Sequence, residues 1–146
     1  MPIAQRQVAT EAMESFVRGD YQTAEKKYED LAAVLPENRF VLSGLAATQF
    51  RLDKLDLAKR TLERAISIYP EDVFSYALLG SICYRQRQYD VAAKMFGRVV
   101  ALDPKDASAH EGLKLVYAQQ NQMKRAEEEH QKACELDSFY IRSPTR

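Results

Sequence analysis

The chain has 146 residues, ordinary globular composition (46% hydrophobic, 29% charged), and 21 basic residues balanced by 21 acidic ones. That excludes a low-complexity or disordered chain, and it leaves no overall basic field to hold nucleic acid or an anionic membrane. The opening MPIAQRQVATEAMESF has no continuous apolar run, and no later stretch approaches the roughly 20 apolar residues that cross a bilayer. Two cysteines, Cys83 and Cys134, make no disulfide framework. The expectation is a soluble cytoplasmic protein forming one domain over residues 1–146, without a bound cofactor or metal.

Taken in chain order, the sequence repeats. Pro36, Pro70 and Pro104 are 34 residues apart, and frames beginning at Gln5, Arg39, Val73 and Ala107 align many further columns. One column reads Ala24, Ala58, Ala92, Ala126, and four positions on it reads Tyr28, Leu62, Phe96, His130. The frames are 5–38, 39–72, 73–106 and 107–140, with a tail at 141–146. In the second frame Leu42, Leu45, Ala46 and Phe50, then Leu55, Ala58, Leu62 and Ile66, recur at helical spacings of three and four. Each frame therefore reads as two helices, broken at Arg18-Gly19-Asp20, Leu52-Asp53-Lys54, Arg87-Gln88 and Asn121-Gln122. Each proline stops the second helix, and Asn38, Asp72 or Asp106 caps the next one. No window alternates with the period of a strand, so the chain is all-α.

These columns resemble the tetratricopeptide repeat (TPR) family. The third frame matches its pattern best, with Tyr76, Leu79-Gly80, Tyr84, Tyr89, Ala92, Phe96 and Pro104. The first frame departs from it at Glu11 and Ser15, and the fourth at Lys114, His130 and Ser138. The resemblance implies a right-handed α-solenoid of four helix-turn-helix repeats, whose outermost helices turn polar faces to solvent. The run Glu127 to Lys132 is expected to be such a solvated face. Phe139 and Tyr140 are expected to pack back onto the last repeat or to meet another copy, making a homo-oligomer an alternative to a monomer.

No catalytic constellation is visible. His110, His130 and Cys134 fall short of the four ligands of a structural zinc site. Both histidines stand in columns that hold core residues elsewhere, and Cys83 reads as a buried thiol, so the chain is not expected to be an enzyme. The family resemblance instead implies a concave wall lined by the first helix of each repeat. Its columns carry Phe16, Phe50 and Tyr84, then Phe40 and Phe74, then Leu78, with Arg51 and Arg85 alongside. Ala9, Ser43, Gly44 and Ala47 read as a small-residue floor. Such a wall suits an apolar-rich peptide segment of a partner protein, as in an adaptor, scaffold or chaperone, with Phe50 and Tyr84 best placed as anchors. The alternative is a scaffold that self-associates through its repeat ends. The carboxylate clamp of co-chaperone relatives is absent, because the matching positions are Ala9, Met13, Gly44, Phe74 and Leu78, none able to donate a charged hydrogen bond.

Overall fold

The structure, a computed structural model, describes the backbone of residues 1–142 and the side chains of residues 1–138. Those residues form eight helices and no strand: α1 (Ile3–Val17), α2 (Tyr21–Val34), α3 (Arg39–Arg51), α4 (Leu55–Ile68), α5 (Val73–Arg85), α6 (Tyr89–Leu102), α7 (Ala107–Gln119) and α8 (Met123–Arg142). The first helices of the last three repeats start on the frame positions 39, 73 and 107. The caps explain why. Asn38 accepts a hydrogen bond from the Val41 amide at 3.2 Å, Asp72 from Ser75 at 3.1 Å and Asp106 from Ala109 at 3.2 Å. At the other end, Pro36, Pro70 and Pro104 follow one residue after the last helical carbonyls of α2, α4 and α6 are capped. Ser138 stands where a fourth proline would, and α8 runs on to Arg142.

The breaks inside the repeats share one geometry. Gly19, Asp53, Arg87 and Asn121 all have left-handed backbones, with φ of 82°, 61°, 59° and 57°. Around each, two amides return to the preceding helix: Arg87 N to the Tyr84 carbonyl at 3.0 Å and Gln88 N to Cys83 at 2.8 Å, for example. This is the Schellman closure, which satisfies carbonyls a helix end would otherwise orphan. Only the first repeat uses glycine for it, so the other three carry a left-handed side chain at a cost glycine would avoid. Arg87→Gly is accordingly expected to raise stability by about 0.5 kcal/mol, the relief of strain exceeding the added unfolded-chain entropy. A urea titration that showed a loss instead would mean that the arginine side chain stabilises this turn.

Two compact units arise, one of residues 1–75 and one beginning at Tyr76, the division falling within α5. In the first, α1 packs on α2, α2 on α3 and α3 on α4; in the second, α6 packs on α7 and α7 on α8. The alanine column belongs to the core: Ala24, Ala58 and Ala92 are fully buried and Ala126 nearly so. Around it close Leu31, Val41 and Leu45 in the first unit and Phe96, Val99, Leu113 and Val116 in the second. Full burial of a side chain such as Leu62 removes enough apolar area to stabilise by about 2 kcal/mol.

Two of the expected floor residues are small for the sake of this core. Ala9 is buried in the cluster with Ala12, Ala24 and Tyr28. Gly44 is small because the Tyr28 ring lies where its Cβ would be. Gly112 plays the same part under Phe96, whose Cε1 would stand 2.8 Å from an added Cβ. The expected solvated face of α8 also needs correction. Glu129 is buried, its Oε2 2.6 Å from His110 Nδ1 and its Oε1 2.9 Å from Lys132 Nζ. His130, expected in the core, has a side chain 45% exposed.

Candidate partner-binding surface

The first-helix positions singled out above divide into two kinds. Phe40 on α3 and Phe74 at the start of α5 are 45% and 43% exposed, the same column one repeat apart. The Phe40 ring lies 6.2 Å from the buried Tyr28 ring and is still 45% exposed. Phe40 and Phe74 each therefore leave a large part of an apolar ring open to solvent on a first-helix face. Met13 and Val17 on α1 are also exposed, and with Glu14 and Arg18 they line a shallow depression of about 260 Å³. Leu115 on α7 is 48% exposed in the second unit.

The other kind is half-buried against the repeat's own second helix. The Phe16 ring meets Tyr21 edge-on at 5.4 Å, and Tyr84 meets Tyr89 in the same way at 5.7 Å. Those are favourable aromatic geometries, and they hold each ring from the end of the first helix against the start of the second. Phe50 is half-buried at the corresponding position, and Leu78 is half-buried on α5. Arg51 and Arg85 end α3 and α5, where cations suit the helix dipole. The Arg51 guanidinium also lies 4.9 Å from the Tyr21 ring centroid.

In the first unit, therefore, Phe16, Tyr21 and Arg51 form one cluster. Tyr21 is not among the surface residues that the sequence singles out. Its signal is the pairing of aromatic columns, since Phe16-Tyr21 and Tyr84-Tyr89 keep the same separation of five. Cation–ring contacts recur in the second unit, Arg98 on Tyr76 at 5.8 Å and Arg125 on Tyr117 at 5.5 Å.

The ionisable groups make paired contacts. The buried His110 ring joins Glu129 through Nδ1 and the Pro104 carbonyl through Nε2, at 3.2 Å. His130 Nδ1 lies 3.2 Å from Glu111, and its Nε2 3.7 Å from Cys134 Sγ. Among the described residues no three His, Cys, Asp or Glu side chains converge as metal ligands. Burial works against ionisation of Glu129, but hydrogen bonds from His110 and Lys132 outweigh it and hold the carboxyl below its ordinary 4.5. Glu111 is lowered as well, chiefly by its hydrogen bond from Lys114.

A carboxyl lowered in the folded state contributes stability that is fully present above 4.5 and is lost as pH falls through the lowered value. The melting temperature is therefore expected to fall as pH drops below about 4.5. Glu129→Gln should shallow that fall while lowering the neutral-pH melting temperature. An unchanged acid limb in the variant would assign the acid sensitivity to other groups.

Two family models described as tetratricopeptide repeat match residues 41–72 and 77–141, together more than half of the chain. No curated protein matches. Among solved structures, MamA 41-end from Desulfovibrio magneticus RS-1 is 22% identical over 92% of this chain and 76% of its own, with a TM-score of 0.86. A crystal structure of MamA gives 16% identity, 95% and 81% coverage and a TM-score of 0.90. The first TPR of Spaghetti (RPAP3), bound to the HSP90 peptide SRMEEVD, gives 20% identity, 80% and 93% coverage and a TM-score of 0.77. At these identities the likeness is one of fold: an all-α helical repeat solenoid.

Proposed function

Because the chain belongs to the tetratricopeptide repeat family, we propose that it is a non-catalytic interaction module which holds an apolar-rich segment of a partner protein against its first-helix faces. One observation carries this reading: Phe40 and Phe74, in one column of consecutive repeats, are left 45% and 43% exposed. Exposed aromatics bury large area on binding at low entropic cost, and interface energy concentrates in such anchors. Phe16, Phe50, Leu78 and Tyr84 supply apolar wall, and Arg51 and Arg85 supply charge for a carboxylate or a backbone carbonyl. The soluble, cytoplasmic setting belongs to the same proposal.

The peptide held by the Spaghetti domain, SRMEEVD, ends in carboxylates. Here Met13, Gly44, Phe74 and Leu78 stand where the clamp of such domains requires cations and amides, so the partner proposed is apolar rather than a chaperone tail. Self-association is the second reading, favoured by the exposed Met13 and Val17 on the outermost helix, at 46% and 79%. Phe139 and Tyr140, expected at such a contact, lie outside the described side chains.

The test is a captured partner segment, resynthesised as a peptide and titrated by calorimetry. Phe40→Ala, Phe74→Ala, Phe50→Ala and Tyr84→Ala should each weaken binding by about 2 kcal/mol, and Lys94→Ala on α6 should not. Loss in the lysine variant with none in the aromatic ones would move the site to the opposite face. Light scattering across concentration separates self-association from partner binding.

A further inference from the structure

A cavity of about 660 Å³ opens in the second unit, where the loop between α6 and α7 meets the C-terminal half of α8. Val100, Pro104 and Leu136 supply apolar lining, the buried His110 lies beneath them, and the charged Lys105, Lys132 and Glu135 complete it. The base is built rather than open: His110 is 5% exposed and fixed at both ring nitrogens by Glu129 and the Pro104 carbonyl.

The same place exists two repeats earlier in the sequence. Pro36 and Glu37 correspond to Pro104 and Lys105, Leu42 to His110, and Ile68 to Leu136, each pair 68 residues apart. There the chain covers its own loop. Tyr69 follows α4 directly, and its hydroxyl donates to the Glu37 carbonyl at 2.5 Å while the Arg39 guanidinium lies 6.0 Å from its ring centroid. Tyr69 can turn back because Pro70 ends the helix. In the fourth repeat the corresponding pair is Asp137-Ser138. Without the proline α8 continues, and Asp137 stays exposed on the helix. Among the described residues the fourth repeat thus keeps the loop and helix end and has no tyrosine in the place of Tyr69.

We propose that this cavity is a second binding site, taking the tyrosine side chain of a partner protein. The ring enters between Val100, Pro104 and Leu136. The phenolic hydroxyl donates to the Lys105 carbonyl, the counterpart of the Glu37 carbonyl that Tyr69 uses. Tyrosine fits better than phenylalanine because that carbonyl accepts a hydrogen bond from it. The Lys105 side chain at the rim favours an acidic neighbour on the incoming segment. The site shares no residue with the surface proposed above and stands independently of the function proposed for it.

The experiment is an NMR titration of the full chain with N-acetyl-Glu-Tyr-Glu-amide, following the Val100 and Leu136 methyls and the His110 ring. Saturable shifts confined to these groups are expected, with affinity about fivefold weaker for the Phe peptide, the effect of one neutral hydrogen bond, and lost for the Ala peptide. Val100→Trp, which fills the cavity, should abolish the shifts. Leu136→Lys serves the same purpose should the tryptophan variant not fold. Tyr69→Ala should open the earlier seat and add shifts at Leu42 and Ile68. Equal affinity for the Tyr and Phe peptides, or no shifts at millimolar peptide, would overturn the proposal. It is also overturned if binding appears only in a Tyr140→Ala chain, which would make the chain's own tyrosine the occupant. Concentration-dependent shifts without peptide would likewise give the seat to a second copy.

Discussion

Ala58→Phe and Ala92→Phe are each expected to destabilise the fold by about 3 kcal/mol or more, the upper range for overpacking. Both alanines are fully buried, and in the repeat's helical hairpin such a column is where a methyl group lets paired backbones come close. A ring there must push two helices apart, and close-packed interiors have no voids to absorb it. Thermal and urea melts followed by helical circular dichroism are the measurement, with Lys94→Phe on the exposed side of α6 as control. Midpoints for the two alanine variants that match the control would mean that the alanine column does not lie between the helices.

Gly112→Leu should cost about 2–3 kcal/mol, and the cost should be largely removed by Phe96→Leu in the same chain. An added Cβ at Gly112 would stand 2.8 Å from Phe96, and one at Gly80 would stand 3.0 Å from the same ring. Phe96 is 7% exposed and cannot swing away. Leucine in both columns is a combination the chain already carries one repeat earlier, as Leu62 and Leu78. Phe96→Leu alone removes buried ring atoms and should cost about 1–2 kcal/mol. The double-mutant cycle is the deciding quantity. A coupling of at least about 1 kcal/mol is expected for residues in such contact, and additive costs would show that the glycine is small for some other reason.

The correction at Gly44 follows from the same packing. In sequence Gly44 sits beside Ser43 and Ala47 and looks like part of a smooth floor. Its smallness answers to Tyr28, 16 residues earlier and on another helix. Glu129 misled for a similar reason. Within Glu127-Glu128-Glu129 nothing distinguishes the third carboxylate, but the helix turns only that one onto His110. The left-handed turns at Asp53, Arg87 and Asn121 were visible as polar breaks, although their residues are not the usual glycine, because closure by backbone amides asks little of the side chain.

The sequence by itself determined the repeat, the eight helices in it, their starts at Asn38, Asp72 and Asp106, and the buried alanine column. All of these depend on residues within a turn or two of one another, or on a period that four copies state independently. The tertiary structure alone decided which aromatics face outward. Phe40 and Phe74 remain exposed, whereas Phe16 and Tyr84 lean on the tyrosines that begin the following helices. It alone joined His110 to Glu129, and it alone opened a cavity in the fourth repeat where Tyr69 covers its own loop in the second. A side chain's exposure is set by what another helix brings against it, and that neighbour stands far enough away in sequence that no local pattern names it.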